Sequence, residues 1–216
     1  MDQKLLFLIN HEWASPGLDR IMALLSSFPA WIPFFVLLIV LALWRGGFRG
    51  RALVLCIGLI AGVNDGLICH SLKRIVNRPR PHQSVDGIRQ VDLAKATPRI
   101  LAIAKPPKVK ISEAVDDLQG IAGRSFPSSH TVNMTAVALL VALFYRFGWL
   151  AFLPALGVAY SRIYTGSHWP SDVLASLFLG LGTTALLFCA LEWLWEKQGG
   201  RLLPAVHAQH PSLLTP

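Results

Sequence analysis

Long apolar blocks separated by short polar breaks make up most of the chain. Residues 21–44 carry no charge, and residues 52–69 carry one, Asp65. Residues 131–145, 147–160 and 173–191 are also free of charge. A bilayer core takes about 20 predominantly apolar residues per crossing helix, so the pattern predicts five membrane-spanning helices, the third and fourth borrowing flanking residues at the interface. The fold expected is all-α, a polytopic transmembrane helical bundle. Ahead of it, residues 1–10 hold one lysine, a very short apolar run and no small-residue cleavage site, which predicts an interfacial amphipathic segment rather than a removable signal.

One domain over residues 1–198 accommodates this pattern, with a long extramembrane loop at about 78–126. Residues 199–216 show little periodicity and are expected to form a mobile tail. Alternating helices place residues 45–51, Arg146 and the stretch from Lys197 on one side of the membrane, and residues 72–127 and 162–172 on the other. The short connections contain Arg45, Arg49, Arg51 and Arg146 and no acid, which makes theirs the cytoplasmic side and turns the second set outward. In the long loop, Lys105-Pro106-Pro107-Lys108 argues against continuous helix.

Composition agrees with lipid as the solvent: 53% hydrophobic against 15% charged residues, and a mean hydropathy of +0.50. The formal net charge of +8 would suggest nucleic acid in a soluble protein. Here the basic residues flank apolar blocks, so the partner implied is anionic membrane lipid and not nucleic acid. Cys56, Cys69 and Cys189 stand singly within apolar stretches, in neither a disulfide nor a metal-ligand spacing.

Three polar clusters interrupt the apolar chain, and the topology puts all three on the outward face. The first is Lys73-Arg74-Ile75-Val76-Asn77-Arg78-Pro79-Arg80-Pro81. The second is Pro127-Ser128-Ser129-His130, and the third runs from Ser161-Arg162 to His168-Trp169-Pro170-Ser171-Asp172. Guanidinium and ammonium groups bind phosphate oxygens by charge-assisted hydrogen bonds. Pro127 suits a first helical position, which would leave the amides of Ser128, Ser129 and His130 as a phosphate cradle at a helix N-terminus. Pro170 gives the same signal, placing Asp172 in the first turn of the last helix with His168 at its entrance.

Phosphoryl transfer needs charge neutralisation, an in-line nucleophile and a proton for the departing oxygen. Lys73, Arg80 and Arg162 supply the first, His168 the second and His130 the third, with Asp172 orienting His168. No metal or other cofactor is called for, since no acidic cluster of Mg²⁺-like spacing accompanies the motifs. Arg74, Arg78 and Arg124 lie beside the motif, where a snorkelling anchor and a ligand are equal expectations.

The three clusters together resemble the type 2 phosphatidic acid phosphatase superfamily. Its signature reads Lys, six residues, Arg-Pro; then Pro-Ser-Gly-His; then Ser-Arg, five residues, His, three residues, Asp. Lys73 with Arg80-Pro81, Pro127 to His130, and Ser161-Arg162 with His168 and Asp172 match it in spacing, and Ser129 stands where glycine is usual. The resemblance implies a helical bundle, a phosphohistidine on His168, His130 as acid for the leaving group, and phosphate held by Lys73, Arg80, Ser128, Ser129 and Arg162. It further implies a lipid phosphate substrate, with undecaprenyl diphosphate and phosphatidylglycerol phosphate leading phosphatidic acid and lipid A phosphates, and a bacterial inner membrane. A lipid phosphotransferase with the same site, and a lipid-binding or transport protein without catalysis, are the alternatives.

Overall fold

The computed structural model describes residues 1–114 and 124–214, most of them helical. The chain opens with α1 (Asp2–Phe7), continued by a π-helical turn (Leu8–Glu12). Ser15 then caps α2 (Pro16–Ser26), its hydroxyl accepting from Leu18 N at 3.3 Å while Pro16 occupies a position whose N–H would be idle. The block expected to span from residue 21 is cut at Ser27, and α3 (Phe28–Arg45) starts afresh. The cause is Pro29, which lacks the N–H that would bond Leu25 O and so breaks the helix one turn earlier.

After the Gly46-Gly47 turn, α4 (Gly47–Val63), a π-helical stretch (Asn64–Cys69) and α5 (His70–Val76) form one rod, closed by Asn77 in the left-handed conformation. Across the long loop, α7 (Ser129–Phe144) is followed by a 3₁₀ turn (Gly148–Ala151), α8 (Phe152–Tyr164) and α9 (Pro170–Leu202). By length and composition, three helices among the described residues can cross a membrane: Phe28–Arg45, Gly47–Val76 and Pro170–Leu202. The other two expected spans are α7, with 16 residues, and α8, with 13. Five crossings are therefore not reached on helix length alone.

The loop at 78–126 carries structure of its own. It holds α6 (Pro81–Ser84) and two strands, β1 (Arg89–Asp92) and β2 (Lys108–Ile111), paired antiparallel with Val91 opposite Val109 and Asp92 opposite Lys108. A 3₁₀ turn (Arg99–Ala104) joins the strands. The described residues are thus helical with one small sheet, not purely α, and the part of the loop at 115–123 lies outside them. Residues 199–214, expected as aperiodic tail, instead finish α9 and form α10 (Pro204–Gln209). Trp195 Nε1 donates to His210 O at 2.9 Å, the His210 ring stacks on Phe48, and Leu213 is buried beside α4 and α9. Residues 215–216 are outside the described set.

Two buried clusters among the described residues hold the bundle. One, around Ile60, Leu140, Phe144 and Phe188, joins α4, α7 and α9 within the apolar blocks. The other, around Leu6, Ile88, Val91 and Tyr164, joins α1, β1 and α8 near the polar clusters. A polar staple reinforces the second: Arg89 grips Asp19 with contacts of 3.0 and 2.8 Å, Tyr164 donates to Asp19 at 2.7 Å, and Asn10 donates to Arg89 O and Tyr164 O. Gly180 sets the α7–α9 spacing, since a Cβ there would lie 2.8 Å from Val132 O.

Candidate active site

The three polar clusters converge because each leaves a helix at the same end of the bundle. Lys73 lies in the last turn of α5, and Arg80 precedes Pro81 at the start of α6. Ser128 is the N-cap of α7, and Ser129 and His130 open its first turn. Arg162 belongs to the last turn of α8, His168 to the connection after it, and Asp172 to the first turn of α9. Gly166 makes that connection possible. Its φ of +68° disfavours any side chain, and a Cβ would come within 2.7 Å of Arg89 O.

The electrostatic neighbourhood shows that these side chains share one space. Arg162, Arg80 and Lys73 all act on His130, and Arg162, Arg80 and His130 all act on His168. Lys73 Nζ also donates to Ser129 Oγ at 2.9 Å. Burial pushes the Arg80 guanidinium below its ordinary range, and its Nε reaches Arg124 O at only 3.4 Å. Arg162 is 7% exposed; its Nη1 donates to Ser26 O at 3.3 Å and to Ser26 Oγ, while its buried Nε has no acceptor. Cations crowded together with an idle buried donor repel one another until an anion arrives, and phosphate oxygens fit that need.

His168 is buried, and burial pushes its imidazole well below the usual 6.5, with Arg162 and then Arg80 pushing the same way. The ring is therefore neutral at ordinary pH. Its Nδ1 lies 2.6 Å from Ser125 O. A carbonyl oxygen has no proton to give, so Nδ1 carries the hydrogen and Nε2 keeps its lone pair.

This departs from the expected contact with Asp172. No hydrogen bond joins Asp172 to His168; the carboxylate instead takes the Ser125 hydroxyl on Oδ2 and Arg78 Nη1 on Oδ1 at 2.6 Å. The reason is the helix start: Asp172 folds back to accept from Trp169 N at 3.3 Å, which commits the carboxylate to the cap. Ser128 departs too. Its amide donates to Ser176 Oγ at 2.9 Å and its hydroxyl accepts from Thr131, so it braces the helix start, leaving Ser129 and His130 as the first amides without an intrahelical acceptor.

Three residues at the site had no assigned place in the sequence reading, and a fourth, Arg78, was weighed there only as an anchor or a ligand. Ser125 and Ser26 lie outside the motifs. Arg78 lies within the first cluster, where its charge was the available signal. His82 donates from Nδ1 to Gly166 O at 3.2 Å, against the His168 connection.

The model of the PAP2 superfamily matches residues 49–196. Undecaprenyl-diphosphatase BcrC of Bacillus subtilis (strain 168) is 28% identical over 180 residues, covering 80% of this chain and 78% of that protein. The bacitracin transport permease protein BcrC of Bacillus licheniformis is 40% identical over 91 residues, and that match spans only 45% of its length. The crystal structure of Aquifex aeolicus LpxE superposes with a TM-score of 0.55 at 24% identity, covering 86% of this chain and 93% of that one, which supports the fold.

Proposed function

The chain belongs to the PAP2 superfamily, and on that premise we propose that it is a membrane lipid phosphatase working through a phosphohistidine on His168. The observation that carries the reading is the fixed tautomer: Nδ1 is spent on Ser125 O, so the Nε2 lone pair is the free one. Nε2 attacks phosphorus and forms a P–N bond as the P–O bond to the leaving lipid alcohol or lipid monophosphate breaks, with His130, protonated once the substrate's negative charge offsets Arg162, Arg80 and Lys73, giving that proton to the departing oxygen. His130 then takes a proton from water, whose oxygen attacks phosphorus. The P–N bond breaks, inorganic phosphate leaves, and His168 is neutral again. Lys73, Arg80 and Arg162 hold the equatorial oxygens, where charge builds in the transition state. A binding protein has no need of a buried imidazole locked in one tautomer.

The substrate class is a lipid phosphate or diphosphate of the undecaprenyl diphosphate, phosphatidylglycerol phosphate or phosphatidic acid type. The Bacillus subtilis relative's name supports the first. The reading places α7 and α8 across the membrane beside the three longer helices, making five crossings. It puts the protein in a bacterial inner membrane with His168 facing outward, because Arg45, Arg49, Arg51 and Arg146 gather at the opposite end.

A phosphate-release panel over lipid monophosphates and diphosphates tests the reading. The wild-type protein releases phosphate, and His168→Ala abolishes turnover while lipid binding persists. Undiminished release from His168→Ala overturns the nucleophile assignment.

A further inference from the structure

We infer that Arg78, braced by Asp2, is a positioning residue for His168 and acts on it through Asp172 and Ser125. The inference rests on reading His168 as the nucleophile. What aims the imidazole is a backbone carbonyl in the irregular stretch before α7, and such a carbonyl is only as fixed as its residue. Ser125 is held at three points. Its N donates to Arg78 O at 2.7 Å, its hydroxyl donates to Asp172 Oδ2, and its O receives Nδ1–H of His168. Arg78 stands behind two of these, the first through its own backbone and the second through Asp172 Oδ1.

Charge explains why an arginine belongs there. The Asp172 side chain is wholly buried, whereas that of Arg78 is 34% exposed. A buried carboxylate is tolerated when paired, and removing its partner leaves an uncompensated charge. Arg78 supplies that partner with one amino group while the other is taken by Asp2 Oδ2 at 2.7 Å. Asp2 also accepts from Ser171 N at 2.9 Å and from Ser171 Oγ at 2.6 Å, which ties α1 to the start of α9 around the same guanidinium. Arg78 Cζ lies over the Trp169 ring, 5.2 Å from its centroid, and Trp169 Nε1 donates to Pro79 O at 3.0 Å, so the guanidinium has little freedom to turn.

Two other roles for Arg78 fit less well. A snorkelling anchor would direct its head to the water and headgroup interface, yet both amino groups face carboxylates. A phosphate ligand would join the cations acting on the two imidazoles, and those are Arg162, Arg80 and Lys73. The catalytic consequence follows from the chemistry of the intermediate. Once Nε2 carries phosphorus while Nδ1 keeps its hydrogen, the ring is cationic, and it is stabilised by the Ser125 carbonyl dipole with the Asp172 charge behind it. Arg78 holds both in register, so its removal reads out in turnover rather than in substrate capture.

The experiment compares wild type, Arg78→Gln, Arg78→Lys, Asp2→Asn and His168→Ala in detergent, scoring kcat and KM for phosphate release per folded protein. Arg78→Gln should lower kcat on the order of ten- to a hundredfold, the range seen when outer-shell partners of metal-bound histidines are lost, with KM within about twofold. Arg78→Lys restores part of the loss because it keeps one charge on Asp172, and Asp2→Asn gives a smaller fall in kcat alone. If Arg78→Gln does not fold, the Lys and Asn variants decide by the same split. Unchanged kcat in folded Arg78 variants, or a change confined to KM, overturns the inference while His168→Ala stays inactive. An active His168→Ala instead defeats the nucleophile reading beneath it.

Discussion

Lys73 Nζ donates to Ser129 Oγ at 2.9 Å, so the hydroxyl that stands where the resembling signature has glycine directly contacts a cation proposed to hold phosphate. A hydrogen bond to a charged group contributes about 1.5–3 kcal/mol. Part of that is returned when phosphate oxygens surround the ammonium, so a residual of about 1 kcal/mol is expected. This preorganisation should appear in binding. Ser129→Gly and Ser129→Ala should each raise KM about fivefold and leave kcat within about twofold, while Ser129→Thr keeps the wild-type KM. Steady-state phosphate release on one lipid substrate checks this, and a lower KM in Ser129→Gly would mean that the hydroxyl competes with phosphate for Lys73.

The neutrality of buried His168 makes a pH prediction of definite sign. In the unfolded chain the imidazole titrates near 6.5, but in the fold burial, Arg162 and Arg80 hold it well below that value. Between those two points the unfolded state binds the extra proton, so stability falls as pH drops below about 6.5; above it the group contributes no slope. One proton corresponds to about 1.4 kcal/mol per pH unit. His168→Gln should remove that part of the acid destabilisation, measured as unfolding in detergent at pH 7, 6 and 5. The acid limb of kcat/KM assigned to His168 should likewise lie below pH 6.5 and move upward in Arg162→Gln. Identical acid slopes for wild type and His168→Gln would contradict the neutral assignment.

What could be read from sequence followed from contrast. Lys73, Arg80, His130, Arg162 and His168 stood out because polar groups are rare in such an apolar chain, and their fixed spacings carried the resemblance. The Ser125–His168 contact was illegible for a physical reason: it uses a backbone carbonyl, which every residue has, so no side-chain type announces it. Asp2 and Arg78, 76 residues apart, were illegible for a different reason: their charges are visible, but their pairing depends on how α1 docks. Helix ends were blurred because apolar composition marks contact with lipid, whereas α9 runs on through Glu192, Glu196 and Lys197 to Leu202. The break at Ser27 was written in Pro29, but the uncharged run across it masked the signal. Strands of four residues, such as β1 and β2, are too short for alternation to declare them.

Close approach of α7 and α9 is the packing feature on which the site's alignment depends. Ser128 N to Ser176 Oγ and Ser125 Oγ to Asp172 both connect α7 or the stretch leading into it with α9, and Gly180 lies two turns below Asp172. A Cβ at Gly180 would meet Val132 O at 2.8 Å and the Thr135 side chain at 3.0 Å, and the first of these is backbone that cannot swing aside. Gly180→Ala should therefore push the helices apart at an overpacking cost of about 1–3 kcal/mol, lowering both the unfolding temperature and kcat as His130 shifts relative to His168. Gly182 supplies the control, since a Cβ there meets nothing within 4 Å. In the same helix, Gly182→Ala should stabilise by roughly 0.5–1 kcal/mol through backbone entropy alone, with turnover unchanged. Thermal unfolding in detergent beside phosphate release reads both variants. Equal stability and equal kcat for Gly180→Ala and Gly182→Ala would show that the α7–α9 contact does not set the alignment of the two histidines.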